Sequence, residues 1–551
     1  MATLLESRRE QMFPQLTAAQ IARLEPHGRR VRISAGQLLS DAGDSHRELL
    51  VIVSGAIAIL RPSLQGEDLI TVQGPGQFAG EMSTLGGLGS FVRVRVTESG
   101  EVIAIGNEAL RTIVQSDAEI SELFMRAFIL RRMALVQGTQ GDIVLLGSMG
   151  SSNTLRLLQF LTRNTFPHLL MDVDHDPGAQ GLRERFHIAD GDLPVVLCRG
   201  SLVLKNPSNA QVAACLGMNP GIDCSKVRDV IVIGAGPAGL AAAVYGASEG
   251  LDTLVIETVA PGGQAGSSSK IENYLGFPTG ISGLALASRA LVQAQKFGAE
   301  VAIATSAVAL RCDRAPFEVV LSGEHVARGR SIVIASGAEY RRLALANLAD
   351  YLGAGVYYAA TAVEQRLCGD DEVIVVGGGN SAGQAAVFLS ANGRRVHLLV
   401  RATGLAQTMS HYLVRRIEDT PQITLHTHTQ ITALEGQGRL EKVTWTGPDA
   451  VPETHAIEHV FLMTGAVPNT GWLGNCLALD DNGFVRTGPD LTTEQAGGKR
   501  WPLARAPLLL EASIPGIFAV GDVRSGSAKR VAAAVGEGSV CIQLLHRVLR
   551  T

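Results

Sequence analysis

The sequence predicts an α/β protein whose C-terminal half holds two nested domains built on parallel sheets, preceded by a β-roll and a small α/β unit. Two stretches carry this reading. In Asp229 to Leu240, DVIVIGAGPAGL, the β-branched run Val230 to Ile233 feeds Gly234, Gly236 and Gly239 and then the helix-forming run LAAAVYGASEG. A parallel strand that enters a helix through bare backbone points N–H groups and a helix dipole at one spot, which suits a pyrophosphate. The second stretch is Glu372 to Val376, followed by Gly377, Gly379 and Ala382 and then the helical run GQAAVFLSA. Both are Rossmann-like dinucleotide turns, and the residues after each glycine pair, Pro237-Ala238 and Asn380-Ser381, open the helices.

Composition narrows the class. A chain of 551 residues has room for three or four domains, at about 150 residues each. With 46% hydrophobic and 18% charged residues it is a folded globular protein, not a disordered one. A net charge of -4 gives no electrostatic reason for a nucleic-acid or membrane partner. The opening MATLLESRREQMF has no apolar h-region, so no secretory signal is expected. Seven cysteines (198, 215, 224, 312, 368, 476 and 541) form no C-x-x-C pair, and their odd number argues against a disulfide framework. A cytoplasmic protein without a metal site is expected.

Residues 1–138 read as a β-roll plus helix: Leu49 to Leu60, Asp68 to Val72, Phe91 to Val96 and Glu101 to Ile105 are strand-like, and Ala118 to Val136 is an amphipathic helix. That order, with Gly80-Glu81-Met82, resembles the cyclic-nucleotide-binding domain family, which places at this glutamate the group that holds a ribose hydroxyl. Gly80 and Glu81 are therefore the candidate site for a small effector. The arginine that the same family uses for the cyclic phosphate aligns with Ser90, while Arg93 and Arg95 nearby read as a solvated face.

Residues 141–218 follow as strand Ile143 to Leu146, a helix over Leu155 to Leu161 capped by Asn153 or Thr154, strand Leu169 to Val173, helix Gly181 to Phe186, then Pro194 leading a hairpin and a last helix. This order resembles the thioredoxin/glutaredoxin fold, which implies a cis Pro194 facing a redox pair. The turn that should hold the pair is Ser148-Met149-Gly150-Ser151, without a thiol, so the unit is expected to scaffold or dock. Cys198 reads as a small buried hydrophobe. Pro220 to Arg228 is a linker.

After the first glycine turn, strand Thr253 to Ile256 ends in Glu257, about 20 positions beyond the glycines, where a ribose hydroxyl is held. Pro261-Gly262-Gly263-Gln264, Ile271-Glu272-Asn273 and Gly516 to Asp522 then make residues 229–551 similar to the thioredoxin reductase flavoproteins. The resemblance implies FAD held by the first turn, Glu257, Gly263, Gln264, Asn273, Gly521, Asp522, Arg530, Val531 and Ala532. The second turn would take NADPH, or NADH as the alternative donor. Arg401, where the second turn's next strand ends, would pair with a 2′-phosphate. The resemblance places the FAD domain at 226–341 and 468–551 and the NAD(P)H domain at 342–467, in a homodimer.

One departure is decisive. These reductases carry two redox thiols in a Y-C-A-T-C segment, and the matching stretch here is Tyr358-Ala359-Ala360-Thr361-Ala362. A methyl group forms no thiolate and no disulfide. Cys368 is the nearest remaining thiol. The expected activity is hydride transfer from NADPH to FAD and on to an acceptor such as a ferredoxin- or flavodoxin-like carrier or a quinone; the alternatives are disulfide reduction through a partner's thiols or Cys368, and a flavin-containing regulatory or docking protein with weak turnover.

Overall fold

The computed structural model describes residues 9–41, 44, 48–63, 66–80, 90, 92–137, 143–198, 202–219, 221–495 and 501–550. Glu81 lies outside the described residues.

The N-terminal roll is a six-stranded antiparallel sheet with the path Arg29–Ile33, Arg93–Gly106, Glu48–Ser63, Gly66–Gln73. The two strands expected around residues 91–105 are one continuous strand, Arg93–Gly106, because Glu48–Ser63 pairs along its whole length and takes up the irregularity in bulges between Ile52 and Ile57. Gly100 sits opposite Ser54, where a side chain would overlap the Ser54 carbonyl. Helices Asn107–Ser116 and Ala118–Gln137 close the roll over Leu49, Val51, Phe78 and Ile103.

The next unit is a four-stranded sheet in the order Leu202–Lys205, Val195–Cys198, Ile143–Gly147, Leu169–Asp172. Ile143–Gly147 runs parallel to Leu169–Asp172 and antiparallel to Val195–Cys198, and the Leu193–Pro194 peptide is cis. Its first helix is Ser152–Arg163 with Ser151 at the N-cap, one turn earlier than the sequence suggests. Thr154 does not cap it: that side chain is buried against Gly147, so it serves packing. The second helix, Pro177–Phe186, starts before Gly181 because Pro177 occupies its first turn, where a missing N–H costs nothing.

Two cysteine pairs are bridged, Cys198–Cys215 and Cys312–Cys476, contrary to the expectation from the odd count. Pairing depends on which segments the fold stacks, and the sequence separations of 17 and 164 carry no signal of it. Cys198 is fully buried as expected, but as a half of such a pair.

The C-terminal half is built on a seven-stranded sheet whose parallel part runs Glu300–Ile303, Thr253–Glu257, Val227–Ile233, Val326–Ile334, with Ile517–Ala519 added beside Val326–Ile334. Val230 to Ile233 is buried on both faces, which explains its unbroken apolar run. Helices Pro237–Ser248 and Val531–Leu549 cross closely, since Gly538 leaves room for the Ala238 carbonyl. An antiparallel pair, Ala338–Tyr340 with Ala466–Pro468, carries the chain out and back. Between them lies a five-stranded parallel sheet ordered Val356–Tyr357, His459–Leu462, Val373–Val376, Val396–Leu399, Ile423–His426. Among the described residues no helix is long and apolar enough to cross a membrane.

Candidate active site

Each glycine turn sits at the carboxyl end of its parallel sheet, and Val227–Ile233 has Thr253–Glu257 on one side and Val326–Ile334 on the other. Such a crevice between diverging connections is where open α/β sheets bind ligands. The glycines divide the labour. Gly234 has φ +105°, in the left-handed region, and a side chain on it or on Gly239 would overlap backbone oxygens. Gly236 has ordinary backbone angles, and the nearest atom to a Cβ built there is Gly263 Cα at 3.9 Å. Its missing side chain leaves a cradle in front of the helix N-terminus. That open space fits a pyrophosphate.

A cleft of about 1610 Å³ spans the two nested domains. On the side of the first turn it is lined by Gly234, Gly236, Pro237, Ala238, Glu257, Gly263, Gln264, Asn273, Gly521, Asp522, Arg530, Val531 and Ala532. Gly239 lies behind this wall as a packing residue. Of the second turn, Asn380 and Ser381 reach the same cleft. Gly377, at φ +144°, and buried Ala382 shape that turn from behind. Gly379 caps helix Asn380–Leu389, and Arg401 is exposed just past strand Val396–Leu399, with no ion pair among the described residues.

Glu257 is held rigidly: its Oε2 accepts from the Ala235 N–H (2.7 Å) and its Oε1 from the Val259 and Ala260 N–H groups (2.9 and 3.2 Å). With about two lone-pair sites on each carboxylate oxygen, Oε1 is filled and Oε2 keeps acceptor capacity. Asp522 stands on the opposite wall, and burial raises its carboxyl above the usual range while Lys529 opposes that rise. Lys529 Nζ donates to the Asp522 carbonyl (2.6 Å), so a cation closes this end of the cleft. The Gln264 amide donates to the Ala338 carbonyl, tying the flavin-side loop to the crossover strand.

The stretch Tyr357-Tyr358-Ala359-Ala360-Thr361 lines the cleft as well. Ala362 opens helix Ala362–Leu367, for which Thr361 is the N-cap, its hydroxyl accepting from the Val363 N–H (3.1 Å). Cys368, at the far end of that helix, is fully buried and donates its thiol to the Glu364 carbonyl (3.1 Å). Burial pushes that thiol up to about 12, so it carries no nucleophilic thiolate at neutral pH. Among the described residues no cysteine lines the cleft.

Further contacts tie the elements around the cleft together. Tyr340 and Tyr358 stack with centroids 6.5 Å apart, and both line the cleft together with Ser381 of the second turn. Glu272, beside Asn273, pairs with Arg416 (2.6 Å) and links the flavin-side loop to helix His411–Glu418. The helix Ser152–Arg163 supplies a further wall.

In the N-terminal roll, Gly80 at φ +90° backs onto the Glu48 carbonyl. Ser90 turns its hydroxyl onto the Val92 carbonyl (2.7 Å). Arg93 is engaged by Asp41 and Glu67, and Arg95 by Glu67.

Two glycine turns facing one cleft, each at a topological switch point, define an oxidoreductase that works between two dinucleotides. Residues 228–538 match the family model for pyridine nucleotide-disulphide oxidoreductases, and residues 30–117 match that of the cyclic nucleotide-binding domain. A thioredoxin reductase of Listeria monocytogenes is 33% identical over 322 residues, covering 58% of this chain and 92% of the relative. That of Bacillus subtilis is 31% identical, covering 58% and 93%. The crystal structure of Lactococcus lactis thioredoxin reductase in its FR conformation superimposes with a TM-score of 0.52 at 26% identity, covering 59% of this chain and all of that one. The chain belongs to the pyridine nucleotide-disulphide oxidoreductase family. It is an NAD(P)H-dependent flavoprotein oxidoreductase of the thioredoxin reductase type, and its cofactors are FAD and NADPH.

Proposed function

We propose that this enzyme passes electrons from NADPH through FAD to an acceptor that does not depend on a dithiol of its own, with a one-electron carrier protein or a quinone as the acceptor class. The observation that carries the proposal is a cleft lined by no thiol among the described residues: Ala359, at the first of the two thiol positions, is part of its wall, Ala362, at the second, opens the following helix, and Cys368 is buried behind it as a neutral thiol. Residues 226–341 and 468–551 are assigned to FAD, and residues 342–467 to NADPH.

When bound, FAD supplies the chemistry, accepting hydride from the nicotinamide and releasing electrons singly or in pairs. The protein's part is to hold and orient. Gly236 leaves room for the pyrophosphate at a helix N-terminus, and Glu257 presents a fixed acceptor oxygen to a ribose diol. Asp522 would hold the ribityl hydroxyls, and the N-terminus of helix Val531–Leu549 with Arg530 would favour negative charge on the ring. Exposed Arg401 is free to pair with a 2′-phosphate, which selects NADPH over NADH. None of these roles requires a side chain to change its bonding, so alanine in place of the two thiols leaves this half of the reaction intact.

Stopped-flow mixing with NADPH followed by candidate acceptors tests the proposal. Flavin bleaching within seconds is expected, with reoxidation by ferredoxin or a benzoquinone and none by thioredoxin coupled to 5,5′-dithiobis(nitrobenzoate). Rapid turnover with thioredoxin that disappears in Cys368→Ser would overturn it and favour the disulfide-reducing reading that the named relatives suggest.

A further inference from the structure

The helix Ser152–Arg163 belongs to the thioredoxin-like unit, yet Ser152, Leu155, Arg156, Gln159, Thr162 and Arg163 all line the cofactor cleft. Their spacing follows one helical face. The opposite face, with Leu157, Leu158 and Leu161, is buried in the core. The unit is also tied to both nested domains. Gln159 Nε2 donates to Glu364 Oε1 (2.7 Å) on the nicotinamide side, and Asn164 Nδ2 donates to the Val259 carbonyl (3.0 Å) on the FAD side.

Arg163 ends this face. Its Nη2 donates to the Gly263 carbonyl (2.8 Å), and Gly263 packs directly on Gly236, the glycine that leaves the pyrophosphate cradle open. Its Nε is buried with no hydrogen-bond partner, and among the described residues the guanidinium has no ion pair. The acids whose charges it feels are Glu257 and Glu364. Both are committed: Glu257 to three backbone N–H groups, Glu364 to Gln159 and to the Thr361 N–H and hydroxyl. A partly desolvated guanidinium with unused donors is costly unless an anion completes it.

We infer that Arg163 is a ligand to the FAD pyrophosphate supplied by the thioredoxin-like unit, so that the FAD site is composite and incomplete without that unit. This rests on the FAD placement proposed above. A guanidinium suits the role because its planar fork matches phosphate oxygens. The unit that has lost its redox thiols thus keeps a function, as part of the cofactor site.

The test uses the full chain, deflavinated, with Arg163→Gln and Arg163→Lys, titrated with FAD, ADP and adenosine. Arg163→Gln should weaken FAD and ADP by about tenfold to 100-fold, leave adenosine unchanged, and leave the apoprotein melting temperature unchanged. Arg163→Lys should recover part of the loss. Gln159→Ala, which loosens the same helix from the nicotinamide side, should keep wild-type FAD affinity. Unchanged FAD and ADP binding in Arg163→Gln would overturn the inference, as would equal losses for ADP and adenosine, or an equal FAD loss in Gln159→Ala. Failure of the underlying placement shows separately, as a wild-type chain that neither purifies with flavin nor takes it up.

Discussion

Gly236→Ala and Gly239→Ala, the same change three positions apart, should fail in opposite ways. At Gly236 the backbone angles, φ -69° and ψ -177°, are open to alanine, and the nearest atom to the new methyl is Gly263 Cα at 3.9 Å. The apoprotein should therefore fold with stability within about 0.5 kcal/mol of wild type. The methyl instead occupies the cradle. A phosphate oxygen bonds an N–H group at about 2.9 Å, whereas a methyl holds heavy atoms off at about 3.5 Å, so the pyrophosphate is displaced from the turn. Losing one or two charge-assisted bonds removes about 3 kcal/mol, or roughly 100-fold in FAD affinity. At Gly239 the methyl would overlap the Gly234 carbonyl oxygen, far inside the 3.0 Å that Cβ atoms keep. Backbone on both sides must move, at a cost of about 3 kcal/mol or more. Thermal melts of the apoproteins and flavin titrations separate the two. A Gly236→Ala chain that binds FAD within threefold of wild type would refute the reasoning, as would a Gly239→Ala chain that melts like wild type.

Cys368→Ser should leave flavin reduction and reoxidation unchanged, and in the native wild type the Cys368 thiol should resist iodoacetamide. Because its thiol is raised to about 12, only about one thiol in a thousand is ionised even at pH 9, so alkylation should stay far slower than that of an ordinary cysteine across roughly pH 7 to 9; labelling at the rate of an exposed cysteine would contradict the burial. Arg401→Gln should raise KM for NADPH about tenfold while sparing NADH, read by steady-state kinetics with both donors, and a parallel change in the two would remove the 2′-phosphate role. Millimolar cAMP and cGMP should leave the melting temperature unmoved, because Ser90 replaces the phosphate arginine and Arg93 and Arg95 are already engaged by Asp41 and Glu67; a stabilisation of several degrees would show a site that these ion pairs do not predict.

The dinucleotide turns were legible in the sequence because their requirements are local. A strand buried on both faces must read Val-Ile-Val-Ile, and a turn at φ +105° selects glycine, so Val230 to Gly239 announces its geometry without reference to the rest of the chain. The hairpin around residues 91–105 was misread for the converse reason. Val92 to Val96 alternates and Gly100 breaks the pattern, which looks like two strands, but the long partner Glu48–Ser63 carries bulges that match the break and keep the ladder continuous. Capping failed similarly at Thr154: the residue type suits a helix start, and only the packing of Gly147 against it assigns it to the core.

What no local rule supplies is the meeting of units. Gln159 and Glu364 are 205 positions apart, and neither residue type nor spacing hints that they bond. The same holds for Arg163 and Gly263, 100 positions apart. That no thiol stands at Ser148 to Ser151 or at Ala359 is plain from the sequence. What the helix after that turn does is not: it presents polar residues, among them Arg156, Gln159, Thr162 and Arg163, to the cleft, while its leucines fill the core. A helix released from function would need polar groups only for water, and Gln159 and Arg163 are instead spent on Glu364 and the Gly263 carbonyl. Replacing Gln159 strands an oxygen of buried Glu364, a penalty of about 1–3 kcal/mol, whereas the Gly263 carbonyl that Arg163 holds is only half-buried.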